Sequence, residues 1–160
     1  MNSSHLKAMA VAGVSLLLPL TAAEAKVRAF GSNTTPFLSS SATFVDLPIK
    51  GAATSLSFTM ARKGKVVITF SSECSVDGNS TVWANMQITL NGIPVAPTNN
   101  DTTICTSDTT AAHDGMVQIS KSVVATARAG NNIVKVKARL AFAAGGTTFR
   151  LEDSSTVVHE

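Results

Sequence analysis

Hydrolytic chemistry needs a nucleophile, a base and a group that orients the base, and this chain has few candidates for any of them. Beyond residue 25 the only imidazoles are His113 and His159. His113 is followed directly by Asp114, and neighbours along a strand point to opposite faces, so they make a poor base and orienter. His113 reads as a solvated loop histidine, and His159 sits beside the terminal Glu160, where chains fray. There is no Gly-x-Ser-x-Gly elbow. A glycosidase would need two carboxylates across a cleft, and Glu73 with Asp77 are the nearest approach to that. Asp77, however, belongs to the turn signal Asp77-Gly78-Asn79, and one Trp with no Tyr is thin material for a sugar-processing cleft. Asp77, Asn79, Asp101 and Asp108 are oxygen donors of the kind calcium takes, in no known ligand spacing, and read as turn formers. No catalytic residue, metal or cofactor is expected.

Cys74 and Cys105 are the two cysteines. Without a Cys-x-x-Cys spacing or a second ligand beside His113 they do not suggest redox or zinc chemistry. They predict a disulfide, which in turn fits export. The amino-terminal residues agree. Lys7 precedes the apolar run Ala8–Leu20, and Ala23-Glu24-Ala25 matches a signal-peptidase site, so residues 1–25 read as a signal peptide. That apolar run falls short of the ~20 residues needed to span a bilayer. The net charge of +3 is too mild and too dispersed for a nucleic-acid footprint.

The elements that would position any site are strands. Thr, Val and Ser dominate after residue 40, and the apolar positions recur with period two. Residues 26–41 (Lys26–Ser41) read as an extended arm or edge strand, and 42–160 as one domain. Strands are expected over Ala42–Ile49, Ser55–Met60, Lys65–Ser71, Val82–Leu90, Met116–Ala127, Val134–Phe142 and Thr147–Val158. Asn91-Gly92 predicts a hairpin, with Ile93–Pro97 as a short edge return. Asn99–Asp114 reads as a polar loop carrying Cys105. Lys121 breaks the apolar parity of its strand. Short strands without helices predict an all-β antiparallel β-sandwich, jelly-roll-like, with an immunoglobulin-like sandwich as the alternative.

The run Gly64-Lys65-Val66-Val67-Ile68, then Glu73-Cys74, Trp83, the Ile88–Gly92 hairpin, Val95-Ala96-Pro97-Thr98, Cys105 and Ala129–Val136 resembles a group of exported bacterial single-domain β-sandwich proteins of unassigned function. The resemblance spans most of residues 26–160. It implies a compact jelly-roll-like domain and a bacterial envelope or extracellular setting, and it transfers no catalytic residue.

Two kinds of function remain. One is a structural or surface-associated protein that self-associates, the arm Lys26–Ser41 adding to a neighbour's sheet edge. The other is a module that binds a glycan or another ligand, for which Trp83, Asn85 and Gln87 share one strand face and Lys135, Lys137 and Arg139 form a basic ladder on another. Core burial is the expectation for a lone Trp. For the ladder the expectation is an edge strand guarded by charge, paired across to Arg150 and Glu152. Asn33, Asn79 and Asn100 each begin a glycosylation sequon.

Overall fold

The alternation of branched or apolar residues with small polar ones becomes eleven strands among the residues described by the computed structural model, which are 25–78, 82–99, 102–107, 115–141 and 146–160. They are β1 (Val27–Asn33), β2 (Phe37–Ser39), β3 (Val45–Asp46), β4 (Leu56–Met60), β5 (Gly64–Asp77), β6 (Trp83–Leu90), β7 (Ile93–Pro94), β8 (Thr102–Thr106), β9 (Val117–Ala127), β10 (Gly130–Ala141) and β11 (Thr148–His159). Residues 1–24, Asn79, Asn100, Asp101, Asp108, His113-Asp114 and Phe142 lie outside the described residues, and so do the readings that fell on them.

Every strand pairing is antiparallel. One sheet runs β1-β11-β5-β9, with β2 also on β11; the other runs β3-β10-β6-β7, with β4 also on β10 and β8 also on β6. Where two short strands share a neighbour they occupy one position, so there are eight positions, four per sheet. The chain visits them in the order of a jelly roll. The inner faces meet in one core around Phe70, Phe149, Leu47, Ile49, Ile68, Met86, Ile88 and Leu140, all fully buried.

The disulfide is formed. Cys74 on β5 is joined to Cys105 on β8, with the Cα atoms 6.1 Å apart, so the bond ties one sheet to the other. For a loop of this length the chain-entropy model gives about 3–4 kcal/mol of stabilisation. An immunoglobulin-like sandwich would set Trp83 on that bond. Here Ala84 lies opposite Cys105 and Trp83 points the other way, so the alternative fails on both strand order and packing.

Several strand expectations change. Asn99–Asp114 is not all loop: Thr102–Thr106 pairs with β6 and buries Ile104 and Cys105 together across a bulge. Of Ala42–Ile49 only Val45–Asp46 is strand, although Leu47 and Ile49 are fully buried. Lys65–Ser71 extends to Gly64–Asp77, which places Glu73 inside a strand. Val27–Asn33 pairs with β11 of its own chain, and β2 pairs there too. His159 does not fray: β11 is flanked by β1 and β5, and His159 has a partner on each side.

Local chemistry explains the turns. Asn91 (φ 53°) and Gly92 (φ 81°) both take positive φ, as a two-residue hairpin with the right twist demands. Asn132, fully buried, accepts from Arg128 N–H and donates to Arg128 O and Gly130 O, while Asn91 Nδ2 donates to its Oδ1 at 2.9 Å. This one amide fastens the β9–β10 turn to the β6–β7 turn. Deeper in, Thr156 is fully buried and its Oγ1 has no partner among the described residues. Chemical denaturation should therefore separate two substitutions. Asn132→Ala should lower stability by about 2–3 kcal/mol, because it removes the four hydrogen bonds of a buried amide, and Thr156→Val should raise it by about 1 kcal/mol.

Candidate binding face

β10 lies between β3/β4 and β6, so its outward side chains occupy the middle of a sheet. Lys135, Lys137 and Arg139 therefore do not guard an edge. Their cross-strand neighbours on β6 are Thr89 beside Lys135, Gln87 beside Lys137 and Asn85 beside Arg139, with Trp83 next along beside Ala141. The two residue sets that the sequence separates thus form one continuous face. From Lys135 to Arg139 it spans about 13 Å along the strand.

Trp83 is half-buried on this outer face and not in the core. The reason is parity: Ala84, Met86 and Ile88 take the inward positions of β6, and Trp83 alternates with them. Asn85 is buried, with its Oδ1 accepting from Thr103 Oγ1 at 3.3 Å. Gln87 Nε2 donates to Asn99 O at 3.3 Å. These contacts hold the polar side chains of β6 in place on a sheet surface that would otherwise leave them free to turn.

The acidic partner of the ladder is Asp46 of β3. Lys135 Nζ donates to Asp46 Oδ2 at 2.6 Å, and Lys137 Nζ stands 3.5 Å from Oδ1. Arg150 and Glu152 do not take this role. They lie on β11 in the other sheet and pair with each other. Arg139 stacks over Phe44, 4.8 Å from the ring centroid, a cation–π contact. At the Lys135 end a cleft of about 380 Å³ is lined by Thr89, Asn91, Gly92, Arg128, Ile133, Lys135 and Lys137. Arg128, Phe44 and Asp46 are the members that sequence reasoning missed. Asp46 is separated from Lys135 by 89 residues, and only the fold brings them together.

The other candidates do not assemble. Glu73 is opposite Glu152 on the outer face of the first sheet, not across a cleft from Asp77. Among the described residues no three His, Cys, Asp or Glu side chains come close enough to hold a metal. Asn33 of the first sequon is buried and hydrogen-bonded to Thr35, which denies an enzyme access to it in the folded chain. No helix among the described residues is long and apolar enough to cross a membrane.

No family model matches the chain, and no curated protein matches its sequence. Among solved structures it is similar to that of Eiger TNF from S. frugiperda, at 14% identity and a TM-score of 0.42, over 85% of this chain and 92% of that one. The jelly-roll assignment rests on the strand order.

The hydrogen bond and charge of Lys135, with Lys137 behind it, hold the Asp46 carboxyl below the usual carboxylate range, against a smaller opposing effect of burial. A carboxyl whose folded pKa is depressed stabilises the fold above its unfolded value, and that contribution fades as pH falls through the folded value. Below about pH 4, Asp46→Asn should thus show a shallower loss of melting temperature with acid than the wild type, in thermal scans stepped from pH 6 to pH 2.

Proposed function

We propose that this chain is an exported, non-enzymatic binding module whose outer β6/β10 face holds an acidic glycan. One observation carries the reading: Trp83 and Gln87, on either side of the buried Asn85, share a single sheet face with Lys135, Lys137 and Arg139. An aromatic edge and fixed polar groups beside a line of cations suit a ligand with a ring face, hydroxyls and carboxylates. Asp46 offsets part of the cationic charge, so the face attracts anions moderately and reversibly. Export is supported by the formed disulfide and by the signal-like residues 1–25, and a bacterial envelope or extracellular setting is part of the proposal.

The building-block reading loses ground because its donor is occupied. The arm that would add to a neighbour's sheet is already paired along β11.

Trp83 is the only Trp, so its fluorescence reports on this face directly. Titration with sodium polygalacturonate should shift its emission, and added salt should weaken the binding. Lys137→Ala with Arg139→Ala should weaken binding at least tenfold. Asp46→Asn should strengthen it, by freeing Lys135 and Lys137 for the ligand. Equal binding of uncharged dextran, or an unmoved Trp83 spectrum at saturating polygalacturonate, would sink the proposal.

A further inference from the structure

β9 is the long outer strand of the sandwich. It stays in register with β5 from Val117 to Ala127 without a bulge, and no described strand pairs with its other side. The remaining outer positions are broken into short pieces: β1, β2, β3, β4, β7 and β8 are each seven residues or fewer. A long straight edge with unpaired backbone groups is a template for another strand.

The outward side chains of β9 would welcome a copy of themselves. Gln118, Ser120, Ser122, Val124 and Thr126 carry no charge. A two-fold axis at Ser122 would set Ser120 against Val124 and Gln118 against Thr126, with no clash of charge. Beside the strand a groove of about 290 Å³, lined by Ile93, Pro94, Val95 and Val124 to Thr126, adds apolar surface, with Ile93 70% and Val124 61% exposed.

One residue opposes this. Lys121 is the sole charged residue of β9 and takes an inward position, between Ile119 and Val123 and opposite the buried Phe70. On an edge, a lysine stem can lie along apolar surface while its ammonium reaches water past the open side. Pairing of two β9 strands about Ser122 would close that exit in both copies. It would also bring the two lysines to diagonal positions about 7–8 Å apart on the same face.

We propose that β9 is a self-pairing surface whose fitting partner is β9 of a second copy, and that Lys121 keeps the two copies apart. Natural sheets use inward-pointing charges at edges for this purpose. Sedimentation velocity over a wide concentration range tests it. Wild type should run as a monomer, and Lys121→Val as a dimer, with the association constant raised at least tenfold. Lys65→Val removes a lysine from the outer face of β5 and should stay monomeric. Adding Val124→Lys to Lys121→Val should restore the monomer, by returning charge to the edge. Should valine disturb the packing at Phe70, seen as a lower melting temperature, Lys121→Thr takes its place. A folded, monomeric Lys121 variant would overturn the proposal. So would a wild type that already pairs, or dimerisation of Lys65→Val to the same extent.

Discussion

Neither sheet of this molecule can exist without the other. Each presents one apolar face, and those faces are dry only because they meet. The inward residues of β5, β9 and β11 pack against those of β4, β6 and β10, and Phe70 and Phe149 are fully enclosed between them. The Cys74–Cys105 bond crosses this same interface, so the one covalent constraint reinforces the contact on which everything else depends. Once the inner faces are committed, strict alternation fixes what remains outside. The lysines of β10 and the tryptophan of β6 are surface residues because Val134, Val136, Ala84 and Met86 are not.

The two outer faces that result are chemically different. On the first sheet, the hydroxyls of β9 meet polar groups of β5: Ser71 donates to Ser120 at 2.9 Å, Thr69 meets Ser122 at 2.8 Å, and the Lys65 ammonium donates to Thr126 at 2.9 Å. Such pairs stabilise the β5–β9 contact by a few tenths of a kcal/mol each and leave little for a ligand to grip. On the second sheet, cations, an aromatic and amides are held by neighbours on either side, with Asp46 of β3 and Phe44, just before that strand, bracing the ladder. Fixed groups of mixed chemistry are what a recognition surface requires, because little entropy is lost when a ligand settles on them.

Much of this was legible in the sequence, and the part that was not has a physical reason. Val82–Leu90 and the strand from Val134 announce themselves by period two, since each has one face in the core. Thr102–Thr106 did not, because threonine reads as polar although its branched carbon favours a strand, and because the bulge at Ile104 breaks the alternation. Periodicity also says which face a residue takes and never which strand lies beside it. The sequence therefore yielded both halves of the candidate face without joining them, and it paired the ladder with Arg150 and Glu152 when the true neighbour was Asp46. The odd parity of Lys121 was visible from the start. That β9 is an outer strand among the described strands is not written in its periodicity.

The order of strands has a bearing on how the chain reaches this state. In the first sheet β11, the last strand, sits between β1 and β5; in the second, β10 sits between β4 and β6. Neither sheet can be completed until residues 130–159 have arrived, and β1 to β4 have no strand neighbours until then. Such pairings form slowly, since the entropy cost of closing a long loop precedes the contacts that offset it. The architecture therefore closes only when β10 and β11 slide into the middle of each sheet.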